Sequence, residues 1–333
     1  MCLPRTTALL RVTLVAAINV AALGVAIPAR AAGAEKSSAA DCDRRCLGEV
    51  LDRYFDSIEK HDPSELQVSG SIRFTENGTE LKFGQGLWQR GGPASYRLDA
   101  IDPENGQVAS DAVITDSGKK AILFVRLRIE KRKITEVETN IVRPGEGQRS
   151  DPDSLAAAPP TLYGEAVPPG GRGSREQLIS AADAYFASLE TGGTDQFKAP
   201  PISDDATRVE NGFSPRNAGR TGAPRATLPE QLNRGFGGAK LYVSDRRYPV
   251  VDLEHGTVLA IGLMHVQPPA GRSDGPPGHA TDKPNRVQIL VEFFKVAGGQ
   301  IRQIQATMLD LDDPSNSTSG ITNTGWAANG PAQ

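Results

Sequence analysis

An internal repeat constrains the fold of this chain more than any other feature of its sequence. Four strings of the first half return in the second half in the same order: YFDSIE (54–59) as YFASLE (185–190), ENG (76–78) as ENG (210–212), DPENGQV (102–108) as DLEHGTV (252–258), and ITEV (134–137) as IRQI (301–304). The spacing between partners grows along the chain, so the second copy holds insertions, the clearest at 214–225 and 268–284. This pattern indicates one structural unit used twice.

The first copy has the pattern of a helix followed by a sheet. Apolar residues recur at helical spacing from Leu47 onward, and Pro63 cannot continue a helix, so we predict a helix over 47–66 that ends around this proline. Turn signals such as Asn77-Gly78 then separate short strands, the clearest at 108–115, 121–130 and 134–142. A helix followed by antiparallel strands predicts an α+β fold.

Length and composition indicate two domains rich in loops. The chain has 333 residues, with 35 glycines, 24 prolines and only 5% aromatic residues, and a domain commonly takes about 100–200 residues. Pro, Gly and small polar residues dominate 144–173, which is typical of a linker. We therefore predict a first module at 42–143, a second module at 174–312 and a loosely held polar tail at 313–333.

The N-terminus has the pattern of a signal peptide. Arg5 and Arg11 form a short cationic segment, and an apolar run follows at 12–27. Ala29-Arg30-Ala31 then fits a small-x-small cleavage site. The run is shorter than the roughly 20 residues of a transmembrane helix, which weighs against the alternative, an uncleaved anchor. We predict that residues 1–31 are removed on export, which leaves no membrane span and a secreted or periplasmic protein.

Cleavage would leave two cysteines, Cys42 and Cys46, at the start of the predicted helix. In an oxidising compartment a lone pair favours a disulfide, and four-residue spacing in a helix brings the Cα atoms within bridging range. A redox-active pair is the alternative, although such pairs normally have Cys-x-x-Cys spacing.

Charge and motifs argue against several classes of function. A net charge of −3 argues against a nucleic-acid partner, which would need a basic surface. The sequence lacks a nucleophile elbow, a P-loop, a dinucleotide fingerprint and an H-E-x-x-H motif. Its four histidines, at positions 61, 255, 265 and 279, are scattered. We therefore expect neither a metal nor another cofactor.

Several longer strings resemble a family of secreted proteins of unknown function that are built from tandem modules. They include CDRRCL, YFDSIEKHDPSEL and RFTENGTELKFGQGLW in the first copy, and RVENG, DRRYPVVDLEHGTVLA, VEFFKVAGGQIRQIQA and the late Gly325-Trp326 in the second. Each module resembles the nuclear-transport-factor-2-like, or SnoaL-like, cone fold. The resemblance, which covers about 42–326, implies two tandem cone-shaped modules, each with helices packed on a curved antiparallel sheet around an apolar pocket.

Two positions depart from the family pattern. Members of the family carry a glutamate where this chain has Gln305, and an aspartate precedes the histidine that corresponds to His265. If either carboxylate is catalytic in those relatives, this chain uses another group.

Two polar residues that interrupt apolar strands are the candidates for catalysis. The resemblance implies cofactor-free isomerisation, dehydration, cyclisation or carbon–carbon lysis, and desolvation in a pocket suits a carboxylate or a neutral histidine to proton transfer. His265 follows the apolar strand at 258–264, and Glu292 interrupts the strand at 287–296, on the face opposite its apolar odd-numbered residues. The alternatives are a hydrogen-bonded edge histidine and an ion-paired or solvent-facing glutamate.

Three further residues are candidates for binding a substrate. Arg247 could clamp an anionic substrate or pair with Asp252, and Asn211 lies in the repeated Glu-Asn-Gly string. The structural alternatives are a salt bridge on the surface or between the modules, and a turn at Asn211. In the first copy, strand alternation also predicts cross-strand ion pairs of Arg126 and Arg128 with Glu136 and Glu138.

Two functions fit these features. One is an exported, cofactor-independent lyase, dehydratase or isomerase that acts on a small, partly apolar molecule in the pocket of the second module. The other is a non-catalytic protein whose pockets bind a small molecule or are filled by side chains, as in a scaffold. Modules that resemble this fold often dimerise through the open face of the sheet, so we predict a monomer whose modules form an internal pseudo-dimer.

Overall fold

The computed structural model describes residues 42–145, 149–157, 161–213, 227–235, 239–267, 286–311 and 326. The predicted signal peptide, both predicted insertions and most of the predicted tail lie outside the described residues. The helices are α1 (Arg44–Glu59), α2 (Pro152–Ala157), α3 (Arg175–Thr191) and α4 (Leu228–Arg234), with short 3-10 helices at Pro63–Glu65, Gly86–Gln89, Thr161–Gly164 and Pro169–Gly171. None of the helices in the described ranges is long and apolar enough to cross a membrane.

The strands of the first half are β1 (Val68–Glu76), β2 (Thr79–Glu80), β3 (Gly91–Asp102), β4 (Gln107–Asp116), β5 (Lys119–Glu130) and β6 (Lys133–Val142). Those of the second half are β7 (Ile202–Glu210), β8 (Lys240–Asp252), β9 (Thr257–Gln267), β10 (Arg286–Ala297) and β11 (Gln300–Leu311). The three strands that the sequence marked most clearly, β4, β5 and β6, are confirmed.

The two sheets follow the same plan. Sheet 1 has the order β2-β1-β6-β5-β4-β3, and sheet 2 has the order β7-β11-β10-β9-β8. Four consecutive strands of each half pair antiparallel, but β1 pairs parallel with β6, and β7 pairs parallel with β11. The α+β class is confirmed, whereas the sheets are mixed rather than purely antiparallel, because the first strand of each half lies beside the last.

Helix α1 shows how local sequence sets the boundaries. Asp43 caps its start by accepting a hydrogen bond from the backbone N–H of Cys46 (2.9 Å). The helix ends at Glu59 rather than at Leu66, because His61 adopts a left-handed backbone with φ of 56°. The predicted disulfide between Cys42 and Cys46 is present, with the Cα atoms 5.1 Å apart.

The layers follow the order α1, sheet 1, sheet 2, α3. One core lies between α1 and sheet 1, and a second lies between α3 and sheet 2. A third core joins the remaining faces of the two sheets, where the rings of Phe124 and Phe293 lie 6.3 Å apart. Each sheet is therefore buried on both faces.

The segment predicted as a linker, 144–173, is partly built into this structure. Leu155 in α2 and Tyr163 are buried in the core between the sheets. The hydroxyl of Tyr163 donates a hydrogen bond to the backbone oxygen of Phe293 (2.7 Å). The few apolar residues of the segment thus hold it against both sheets.

Candidate functional site

Glu292 lies on the face of sheet 2 that α3 covers. In β10, Val291 and Phe293 belong to the core between the sheets, whereas Leu290 and Phe294 belong to the core under α3. Strand alternation places Glu292 on the second face. The residue is only 3% exposed. A carboxylate therefore stands in an apolar interior of the second half.

The surroundings of Glu292 offer it few hydrogen bonds. Tyr185 and Phe186 of α3 are buried and pack on Phe294, with ring centroids 5.3 and 5.8 Å apart. Within the described part of the chain, no group makes a hydrogen bond to Oε2 of Glu292. Unpartnered polar atoms are uncommon in protein interiors and call for a specific explanation.

Arg208 of β7 brings a positive charge into the same interior. Its Nη1 donates a hydrogen bond to the hydroxyl of Tyr185 (3.0 Å), and its Nε lies 3.0 Å from Oε1 of Glu210. Burial alone would lower the pKa of Arg208, but Tyr185, Glu210 and Glu292 outweigh burial and raise it. Arg208 is therefore a permanently charged group beside the buried carboxylate.

This setting changes the acidity of Glu292. Burial raises the pKa of its carboxyl group to about 8, and the charge of Glu210 adds to the rise while Arg208 opposes it. Burial also raises the pKa of Tyr185. When the pKa of a carboxyl group is near 8, both its protonated and its ionised form are populated near neutral pH. It can therefore act as a general acid or as a general base.

The first half has a valine at the corresponding position. The repeat aligns β4 with β9, and cross-strand pairing carries this alignment to β5 and β10, where Leu127 corresponds to Phe294. Two residues earlier, Val125 corresponds to Glu292. A carboxylate at this position under the covering helix therefore occurs in the second half and not in the first.

Aromatic side chains fill the helix-covered interior of the first half. Trp88 packs edge-on against Tyr54 and Phe74, with centroid distances of 5.1 and 5.3 Å. Its indole N–H donates a hydrogen bond to the hydroxyl of Ser57 (3.0 Å). This interior is built as a packed core.

The structure does not bring together His265 and Glu292, the two candidates for catalysis. In the pairing of β9 with β10, His265 lies opposite Val287, and Glu292 lies opposite Ala260. Val287 packs on the core between the sheets, whereas Ala260 belongs to the core under α3. The two candidates are on opposite faces of sheet 2, because paired residues share a face and neighbours along a strand alternate.

The surroundings of His265 are those of a strand-end histidine. Its ring stacks on Tyr242 at 4.1 Å, and its Nε2 lies 2.9 Å from the hydroxyl of Ser244. Partial burial lowers the pKa of His265, and Asp245 opposes this change. The hydrogen-bonded alternative describes His265 better than the pocket interpretation.

Arg247 pairs with Glu138 of sheet 1 instead of facing a pocket. Its Nη1 donates to Oε2 of Glu138 (3.1 Å), and its Nη2 binds Oε1. Glu138 also accepts a hydrogen bond from Nε of Arg126 (2.8 Å), and all three residues are buried. Arg247 therefore forms a salt bridge between the halves, which is the structural alternative given with the substrate-binding prediction. The predicted cross-strand pairs are confirmed, including Arg126 with Glu136 at 2.9 Å.

Asp252 is likewise engaged by the other half. Both of its carboxylate oxygens accept hydrogen bonds from Arg44 of α1 (2.9 and 2.6 Å), and Oδ2 accepts another from the backbone N–H of Ile101 (3.1 Å). Burial alone would raise the pKa of Asp252, but hydrogen bonds from His255 and Arg44 outweigh it and lower the pKa. Asp252 is therefore a fully buried carboxylate that joins the two halves.

The repeat produces an equivalent contact in the opposite direction. Arg175 of α3 donates to both oxygens of Asp102 (2.9 and 2.7 Å), and Asp102 also accepts from the backbone N–H of Val251 (3.0 Å). Helix α3 begins with Arg175 as α1 begins with Arg44. Each half therefore uses its first helical arginine to bind the aspartate that ends a strand of the other half.

Asn211 forms a turn, which is the structural alternative given with its ligand role. Its backbone is left-handed with φ of 46°, and its side chain exchanges two hydrogen bonds with the backbone of Met308 (2.8 and 2.9 Å). Asn77 does the same work in the first half, where its side chain accepts a hydrogen bond from the backbone N–H of Ile141 (2.8 Å). Asn211 thus ties its turn to the last strand, β11.

Gln305 lies in the core between the sheets and contacts a buried acid. It donates a hydrogen bond to Asp111 of β4 (2.5 Å), and Thr307 donates another (2.8 Å). Burial raises the pKa of Asp111 to about 6, against these two hydrogen bonds. A glutamate in place of Gln305 would put a second carboxylate next to that of Asp111, whereas the amide of Gln305 can donate a hydrogen bond to it.

Sequence reasoning missed three members of the site: Tyr185, Arg208 and Glu210. Tyr185 and Glu210 lie in strings that the repeat had marked, and Arg208 lies two residues before Glu210. The signal that could have found them is an arginine and a glutamate on one face of a short strand, next to a conspicuous tyrosine in the covering helix.

The described residues contain no group of three histidine, cysteine, aspartate or glutamate side chains that could hold a metal ion. A cleft of about 690 Å³ lies elsewhere, between the 170–173 segment, the first turns of α3 and the end of β10. Glu292 does not line it.

Comparisons with known proteins place a family match on the second half. Residues 171–308 match the family model described as "Domain of unknown function (DUF8021)". Among solved structures, an M. tuberculosis LEH-like epoxide hydrolase is 16% identical over 44% of this chain and 90% of that chain, with a TM-score of 0.26. A "putative ketosteroid isomerase" from Kribbella flavida DSM 17836 is 15% identical over 44% and 88%, also with a TM-score of 0.26. No curated protein matches the sequence. Structural similarity this low supports no statement about activity.

Proposed function

We propose that the second half carries an acid–base site centred on Glu292. The protein would then be an exported, cofactor-independent lyase, dehydratase or isomerase for a small, partly apolar molecule. The observation that carries this proposal is the buried carboxylate of Glu292, which has an oxygen without a partner among the described residues and a pKa of about 8. A buried group held in this state is typical of functional sites.

The proposed chemistry needs only groups of this chain. Ionised Glu292 accepts a proton from the substrate, and neutral Glu292 returns it to another carbon or to a leaving group. The aromatic side chains of Tyr185 and Phe294 exclude water, which strengthens electrostatic interactions at the site. Arg208 remains charged beside them and favours a substrate in which negative charge develops.

The architecture that we propose for this function is a duplication. Residues 42–143 and 174–312 would be tandem modules of nuclear-transport-factor-2-like, cone-shaped type, joined by 144–173 and followed by a tail at 313–333. The five strands that the two sheets share have the same order, with β2 as an addition to sheet 1, and this supports an internal pseudo-dimer. The paired Arg44–Asp252 and Arg175–Asp102 contacts support it as well. In it the first module, with its filled interior, supports the second.

We also propose that the protein is secreted or periplasmic after removal of residues 1–31. The disulfide between Cys42 and Cys46 supports an oxidising compartment.

The test of the proposed activity is a screen of purified protein with small enones, hydroxyketones and lignin-type aromatics. For any substrate found, Glu292→Gln is expected to reduce kcat by about 10²–10⁴-fold, the typical contribution of a general acid–base group. His265→Ala serves as the matched control and should leave the rate within a few fold. Full activity of Glu292→Gln would contradict the proposal.

A second candidate is a binding protein without catalysis. The filled interior around Trp88 favours it, because it shows that one half of this chain uses the same space for packing. A compound that binds saturably to the wild type and to Glu292→Gln, and is recovered unchanged, would favour this alternative.

The internal pseudo-dimer leads to a prediction about mass. The sheet faces that pair between modules are already paired within one chain, so sedimentation equilibrium should give the mass of a single chain at micromolar concentration. A mass of two chains would contradict this prediction.

A further inference from the structure

Trp326 contacts sheet 1, although the last strand before it in the described part of the chain belongs to sheet 2. Strand β11 ends at Leu311 in sheet 2. The indole N–H of Trp326 donates a hydrogen bond to the hydroxyl of Thr75 in β1 (2.9 Å). Thr75 is almost fully buried, at 1% exposure. The indole of Trp326 therefore contacts a buried position of the first half.

Two guanidinium groups lie over the ring of this indole. The Cζ atom of Arg73 lies 4.0 Å from the ring of Trp326, and that of Arg126 lies 4.7 Å from it. Planar guanidinium groups are weakly hydrated and stack well on aromatic rings. The N–H groups at the edge of the Arg126 guanidinium bind Glu138 and Glu136. The flat face of the guanidinium is therefore free to stack on the indole ring.

We infer that Arg73, Thr75 and Arg126 form an indole-binding site, which Trp326 occupies within the same chain. The ligand class is a flat aromatic ring with an N–H donor. Because Arg126 also holds Glu138, which binds Arg247 of sheet 2, the seated indole covers the ion cluster that joins the sheets. Trp326 thus has the role of an anchor on sheet 1.

The experiment replaces Trp326 with alanine and then adds indole as a free ligand. In Trp326→Ala, indole is expected to bind saturably and to raise the melting temperature of the variant toward the wild-type value. The wild type, with its site filled, should show no such shift. 1-Methylindole has no N–H donor and should bind about tenfold more weakly, the value of one ordinary hydrogen bond.

A matched variant assigns the binding to this site. In Trp326→Ala combined with Thr75→Val, indole should lose about tenfold in affinity, while 1-methylindole should bind as it does to Trp326→Ala alone. Equal stabilisation of the wild type by indole would overturn the inference, as would an indole affinity that Thr75→Val leaves unchanged.

A second measurement keeps the inference testable if Trp326→Ala does not fold. The chain has two tryptophans, and Trp88 is buried, so a change in acrylamide quenching reports on Trp326. In the full chain, Thr75→Val alone should increase quenching, because it removes the acceptor of the indole N–H. Unchanged quenching in a folded Thr75→Val protein contradicts the site.

Discussion

Glu138→Ala is expected to lower the free energy of unfolding by about 3–5 kcal/mol, because it leaves two buried guanidinium groups without their shared carboxylate. Arg126 and Arg247 approach Glu138 from different sheets and are both buried. Breaking such a cluster removes one partner but leaves the desolvated charges of the others. Denaturant unfolding near pH 7, followed by circular dichroism, measures the effect.

The pH dependence of this cluster has a defined sign. Burial alone would raise the pKa of Glu138, but the charges of Arg247 and Arg126 outweigh burial and lower it. The stabilisation is therefore present above the unfolded value of 4.5 and is lost as the pH falls through the lower folded value. The difference between wild type and Glu138→Ala should shrink in acid.

Glu136→Ala is the matched control. Glu136 also pairs with Arg126, but its side chain is 25% exposed and its replacement leaves Arg126 still bound to Glu138. Its cost should stay below about 1 kcal/mol, as for other exposed ion pairs. Equal losses in the two variants would show that the junction between the sheets does not depend on the buried cluster.

Local chemistry explains what the sequence predicted correctly. The apolar stripe that begins at Leu47 can only be buried by a helix lying on another layer, and the turn residues around Asn77 and Asn211 leave few places for strands to end. Cys42 and Cys46 are close in sequence, so their bridge follows from helix geometry.

The partners of Arg247 and Asp252 could not be predicted, because Glu138 and Arg44 are distant in sequence and lie in other layers. Periodicity shows that two residues share a face, but not whether a helix or a second sheet covers that face. For Glu292, alternation correctly separated it from the apolar face of β10. The sequence did not show that sheet 1 covers the apolar face of β10. Because it does, the face that carries Glu292 lies under α3.

Replacing Glu292 with glutamine is expected to raise the free energy of unfolding by on the order of 3 kcal/mol at pH 7, while abolishing any acid–base activity. Burial places the pKa of Glu292 at about 8, against an ordinary value of 4.5. The folded state therefore binds more protons than the unfolded state between these values. Wild-type stability from this group is complete below pH 4.5 and is lost as the pH rises through about 8.

Unfolding curves of wild type and Glu292→Gln from pH 5 to pH 9 measure this difference. The two proteins should be nearly equal at pH 5, where neutral glutamic acid resembles glutamine, and should diverge as the pH rises. Glu136→Gln makes the same chemical change at a partly exposed carboxylate and is the comparison variant. If Glu292→Gln is instead less stable by a constant amount at every pH, the wild-type carboxylate is satisfied in its ionised form. A satisfied carboxylate gains nothing from a proton, and the case for an acid–base site in the second half would then fail, since natural sites give up stability to hold a reactive group ready.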